Sequence, residues 1–234
     1  MELEQPKNPV AMEMLQGKLG SPLKPGELGV LLARAGVGKT ACLTHIAMEH
    51  LLSGQTVLHV CVDEIPEKAK VWYHEFLKNI VAAYPDEQRA ELQHRIEPLR
   101  FILSYLHNTF SPEKLEQSVR DLEERANFRP AMVVLDGLNF DHIARSAIES
   151  LHDFAERHCV SLWMSARTHR HITMTNERGI PYPCHEIDDL FGAIILLEPV
   201  RDAVQIRVLK NGSGYQPEHP LVFLNPQTYL LHRG

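Results

Sequence analysis

The residues best suited to chemistry are Lys39 and Thr40, which end the stretch Ala33-Arg34-Ala35-Gly36-Val37-Gly38-Lys39-Thr40. Gly36 and Gly38 let a backbone wrap closely around a polyphosphate with its N–H groups turned inward. A lysine at this place reaches the β- and γ-phosphates, and the threonine hydroxyl is a ligand for Mg²⁺. The stretch fits the pattern G-x-x-x-x-G-K-[ST], except that Ala33 stands at the first glycine. That position lies at a strand end and only has to be small. Ala35, Gly36, Val37, Gly38, Lys39, Thr40 and Ala41 are therefore the expected nucleotide-binding segment. The plainer reading is a glycine-bearing turn before an ordinary helix. An apolar run before the stretch (Leu28 to Leu32) and a helical pattern after it (Thr40 to Ser53) argue against that.

Acidic residues follow at matching places. Asp136 ends the apolar run Ala131 to Leu135 and is expected to hold the Mg²⁺ shell through water. Asp63 and Glu64 end the run Val57 to Val62, where a carboxylate would orient a water for attack on the γ-phosphate. Their plainer role is an acidic flank to the helix opening at Pro66. Arg167, Arg170 and Arg178 lie in a long loop-like stretch, Ala166 to Glu186, and suggest a weak contact with single-stranded DNA. His169-x-His171 with Cys184-His185 is a loose metal-ligand pattern and carries less weight.

The elements that must position these residues alternate. Strand patterns at Leu28 to Leu32, Val57 to Val62, Leu99 to Leu106, Ala131 to Leu135 and Val160 to Met164 are separated by helical ones. The helix after Pro66 offers Val71, Trp72, Leu77 and Ile80 as its inner face. Strands at Ala193 to Leu197, Val204 to Leu209 and Leu221 to Leu224 are joined by short connections. This order predicts an α/β fold, a mostly parallel sheet flanked by helices, with antiparallel strands at its C-terminal edge. In such sheets ligands bind at the carboxyl ends of the strands.

Composition sets the outer bounds. The 234 residues are 44% hydrophobic and 23% charged, as in an ordinary globular chain. They suit a single domain at residues 25–234 behind an extension at 1–24. A net charge of −6 excludes a wholly basic, polyanion-binding surface. Cys42, Cys61, Cys159 and Cys184 lack C-x-x-C spacing and read as reduced, buried thiols of a cytoplasmic protein. The acidic N-terminus lacks a signal-peptide pattern, and no run has the length of a membrane span.

Together these segments resemble the RecA-type P-loop ATPase superfamily, nearest to the DnaB-type helicase core and KaiC-like ATPases. The residues that carry the resemblance are Leu23-Lys24-Pro25-Gly26-Glu27-Leu28, the loop Ala33 to Thr40, Val60-Cys61-Val62-Asp63-Glu64-Ile65-Pro66, Val133-Val134-Leu135-Asp136, Ser165-Ala166-Arg167 and Leu209-Lys210-Asn211-Gly212. The resemblance implies a RecA-like core that binds ATP and Mg²⁺ and hydrolyses ATP at subunit interfaces of a hexamer. It places the catalytic acid on Asp63, with Glu64 beside it as in KaiC-like members. It makes Lys210 a residue that reaches a neighbour's γ-phosphate. Helicase-type members carry glutamine where this chain has Ala166, and the family's Lys-x-Arg finger appears as Lys210-Asn211-Gly212. Both departures imply slow hydrolysis. The alternatives are a nucleotide-gated binding module with little turnover and a small-molecule P-loop kinase.

Overall fold

A computed structural model describes residues 23–81, 86–216, 222–225 and 231–233. Nearly all of the expected extension at 1–24 lies outside the described residues. In chain order the elements are β1 (Leu28–Ala33), α1 (Lys39–Leu52), β2 (Val57–Val62), α2 (Pro66–Val81), α3 (Asp86–Ile96), β3 (Arg100–Tyr105), α4 (Pro112–Ala126), β4 (Met132–Asp136), α5 (Arg145–His158) and β5 (Ser161–Arg167). Then follow β6 (Ala193–Pro199), β7 (Val204–Asn211), β8 (Gly214–Tyr215), β9 (Val222–Leu224) and β10 (Leu231–Arg233).

Among the described residues one sheet holds every strand, in the order β10-β9-β7-β6-β1-β5-β4-β2-β3, with β8 paired to β7. From β6 to β3 the pairings are parallel. From β6 outward through β7, β9 and β10 they are antiparallel. The short hairpin connections after β6 leave no room for the crossover that a parallel strand needs.

Strand alternation divides the interior into two cores. In β1, Leu28, Val30 and Leu32 face the core built with α4 and α5, while Leu31 and Ala33 face the core built with α1, α2 and α3. The same division runs through β4, where Val133 and Leu135 face one side and Met132 and Val134 the other. Both faces of the central strands are thus covered, which is why they read as continuous apolar runs.

Several expectations shift. The inner face of α2 is Ala69, Tyr73, Phe76 and Leu77, and Val71 is 60% exposed. Val71 lies two residues past Ala69, roughly 200° around the helix and off the buried stripe. Trp72 is half-buried, and the side chain of Ile80 lies outside the described ones. Cys159 is exposed, at the end of α5, where it takes the left-handed conformation with φ 52. Cys42, Cys61 and Cys184 are buried, and all the cysteines are free thiols. Among the described residues, no helix is long and apolar enough to cross a membrane.

A buried polar pair sits on α1. His45 Nδ1 and Glu49 Oε1 are 3.6 Å apart, and neither atom has a hydrogen-bond partner. Burial pushes the Glu49 carboxyl up from 4.5 to about 9 and pulls the His45 imidazole down from 6.5 to about 4. The pair is therefore a neutral contact near pH 7, not an ion pair. Between pH 4.5 and 9 the folded chain keeps the Glu49 proton that the unfolded chain releases. Its contribution to stability therefore falls as pH rises. His45 acts in the opposite sense, losing stability as pH drops from 6.5 toward 4. Glu49→Gln should flatten the decline in melting temperature between pH 6.5 and 9. A melting series whose slope is unchanged in the variant would rule this assignment out.

Candidate functional site

The carboxyl ends of β1, β2, β4 and β5 converge on a cleft of about 630 Å³. One wall is the loop between β1 and α1. Gly36 and Gly38 take φ values of 76 and 104 there, which L-residues rarely adopt. Gly38 is the N-cap of α1, so the helix has no capping side chain, and no acid stands in its first turn. The first N–H groups of α1 consequently keep their partial positive charge for a ligand from outside the chain. This arrangement suits a phosphate.

Lys39 lies at the start of α1 and lines the cleft. Its Nζ donates to the Ala33 and Arg34 carbonyls at 3.2 Å each. Burial holds its pKa below the ordinary lysine value, Asp136 works against that shift, and the charges of Arg167 and Lys68 add to it. An anion in the cleft would relieve this concentration of positive charge.

Thr40 and Asp136 come from elements far apart in sequence. Thr40 Oγ1 donates to Asp136 Oδ2 at 2.6 Å. Ser165 Oγ donates to Asp136 Oδ1 at 2.6 Å and accepts from Gly137 N–H at 3.1 Å. Both carboxylate oxygens are thereby oriented. A hydroxyl and a carboxylate side by side, facing a cleft with a phosphate-type loop, form an all-oxygen donor set suited to Mg²⁺. Gly137 follows in a left-handed conformation, φ 104, pressed against the end of β2.

Asp63 and Glu64 both line the cleft, as their place at the end of β2 implied. Each already has a partner. Asp63 adopts φ 54, its N–H donates to Tyr105 O at 2.8 Å, and its Oδ1 accepts from Asn108 N–H at 3.1 Å. Glu64 Oε1 accepts from Lys68 Nζ at 2.6 Å, and its carbonyl accepts from Ser104 Oγ at 2.7 Å. Both residues are anchored through backbone and side chain, but the Glu64 carboxylate is held by a lysine side chain and the Asp63 carboxylate by a backbone N–H.

Lys210 stands apart from the cleft. It is 6% exposed, its Nζ donates to Asp188 O at 2.8 Å, and it lies 5.2 Å from the Tyr215 ring centre. Asp188 is itself fully buried and takes Arg178, Asn176 and Tyr215 as donors. Burial pulls the Lys210 ammonium below its ordinary pKa, and Asp188 and Asp189 oppose that. The arginines of the β5–β6 connection likewise have different surroundings. Arg167 lines the cleft, Arg170 is exposed, and Arg178 is tied to Asp188.

The histidine pattern of the same connection does not converge on a metal-ligand set. Among the described residues, the sole group of ligating atoms within 4.8 Å of one another is His152, Asp153 and Glu156 on α5. His169 Nε2 instead meets Asp141 Oδ2 at 2.7 Å, and Tyr182 donates to Asp141 Oδ1 at 2.9 Å. These bonds pin the connection to the loop after β4, and they hold the Asp141 carboxyl below its usual range against the effect of its desolvation. Lys68, Asp141 and Arg167 are cleft residues that motif spacing did not assign to it. For Lys68 a signal existed: it stands four residues after Glu64, at the start of a helix.

No protein-family model matches the chain, and no curated protein matches it. The functional reading therefore rests on the geometry of the site.

Proposed function

We propose that the chain binds ATP with Mg²⁺ and hydrolyses it slowly, as an ATPase of the RecA, DnaB and KaiC type that couples nucleotide state to a conformational change in a homo-oligomer. The observation that carries this reading is the 2.6 Å bond from Thr40 Oγ1 to Asp136 Oδ2, which joins the glycine loop to the end of β4 across 96 residues. The strand order supports it. The chain leaves β5 on one side of β1 and returns as β6 on the other, so the loop after β1 lies where the order of strand addition reverses.

The division of labour follows from the residues. The loop N–H groups and Lys39 bind and orient the phosphates. Thr40 and Asp136 would hold Mg²⁺, Asp136 through water, and the bound ion would neutralise phosphate charge. Glu64 is placed to orient the attacking water once its carboxylate turns from Lys68. Asp63 can do so only through its second oxygen. Reaching a neighbour's phosphate would require Lys210 to leave Asp188. DNA engagement, if part of this function, falls to the exposed Arg170.

The prior engagement of Asp63 and Glu64 also favours a second reading, a nucleotide-gated binding module with negligible turnover. One experiment separates the two. ATP turnover per subunit should be measured against protein concentration, with Mg²⁺, with and without single-stranded DNA. A rate that rises with concentration supports sites shared between subunits, and stimulation by DNA adds a motor role. ATP binding with a flat, near-zero rate supports the module. Failure to bind ATP at all removes both.

A further inference from the structure

Arg167 closes β5 beside the first residue of the glycine loop. Its register partner in β1 is Ala33. The next residue, Thr168, donates its N–H to the Ala33 carbonyl at 3.0 Å, the same carbonyl that accepts from Lys39 Nζ. The backbone at Arg167 is thus fixed against the loop. Alternation along the strand decides where its side chains go. Ser165 reaches Asp136 at the cleft, Ala166 is buried in the core beneath α4 and α5, and Arg167 returns to the cleft.

Charge supplies a second, independent observation. Arg120, Arg145, Arg157, Arg178 and Arg207 each pair with a carboxylate. The Arg167 guanidinium has no hydrogen-bond or ion-pair partner among the described residues. The Asp136 carboxylate in the same cleft is already occupied by Thr40 and Ser165. An exposed guanidinium therefore faces the space beside Lys39 without a counter-charge of its own. A planar fork of N–H donors fits phosphate oxygens in pairs.

We propose that Arg167 reads the terminal phosphate of the nucleotide within its own subunit, distinguishing a triphosphate from a diphosphate. This rests on the nucleotide reading above. Because Arg167 opens the connection that carries His169 and Asp188, its engagement also gives nucleotide state a covalent route to that segment.

The test is calorimetric titration of the full chain, with Mg²⁺, using a non-hydrolysable ATP analogue and ADP as probes. Wild type, Arg167→Ala, Arg167→Lys and Lys39→Ala are compared. Arg167→Ala should weaken the triphosphate analogue by roughly tenfold to a hundredfold, while ADP affinity stays within about twofold. Arg167→Lys should recover part of the loss, since it keeps the charge but not the fork. Equal weakening of both nucleotides, or of neither, overturns the proposal. So does an effect confined to retention of single-stranded DNA. If wild type binds neither nucleotide, or Lys39→Ala binds both as wild type does, the nucleotide reading itself falls and takes this proposal with it.

Discussion

Lys39→Ala should abolish ATP turnover for practical purposes, by about a hundredfold to a thousandfold, the usual scale for removing one preorganised group that stabilises transferred charge. It should also erase the rise in melting temperature that the proposed function predicts for the wild type with ATP and Mg²⁺. The fold itself should survive. Lys39 is half-buried at the mouth of α1, and its two bonds go to loop carbonyls that solvent can serve in its place. The variant therefore separates function from stability. Turnover equal to wild type would sink the enzyme reading, and an undiminished ATP-induced shift would sink nucleotide binding at this loop.

Gly137→Ala should be among the most destabilising single changes at the site. The residue takes φ 104, and an added Cβ would lie 2.2 Å from Val62 O. That oxygen is backbone at the end of β2, so it cannot swing aside as a side chain would. Strain of this kind costs about 1–3 kcal/mol, and moving the strand end adds to it. A total of about 3 kcal/mol corresponds to a loss of roughly 6–12 °C in a domain of this size. Gly36→Ala is the internal control. Its φ is 76, but nothing lies within 4 Å of the added carbon, so only the backbone preference of about 1–2 kcal/mol is lost. Thermal melts of the two variants should differ by several degrees. Coincident melts would mean that the β2–β4 contact yields more easily than its geometry implies.

Much of this site is legible in the sequence. The glycine loop declares itself because phosphate binding restricts both residue type and spacing. Asp136, Asp63 and Glu64 are found because each ends an apolar run. What escaped depends on pairing and on distant partners. β5 reads as ending near Met164, since Ser165-Ala166-Arg167 loses the apolar signal, yet pairing with β1 carries the strand to Arg167. No local pattern shows that extension, and with it the cleft position of Arg167. Lys210 looks like an exposed residue after a strand. It lies inside β7, buried, with its ammonium donating to the carbonyl of Asp188, 22 residues earlier in the chain. On α2, Val71 and Tyr73 are equally plausible core residues by type, yet Tyr73 is fully buried and Val71 is 60% exposed.

The bonds from Lys39 Nζ to the Ala33 and Arg34 carbonyls have a thermodynamic consequence. They make the loop its own competitor. A phosphate that recruits the ammonium must displace acceptors held a few ångströms away at effectively fixed concentration. On the proposed function, the apparent phosphate affinity would be the intrinsic one reduced to the fraction of molecules in which Lys39 is released. Both competitors are peptide oxygens, which no side-chain substitution can delete. This attenuation belongs to the path of the backbone, so tighter variants must gain their affinity elsewhere in the cleft.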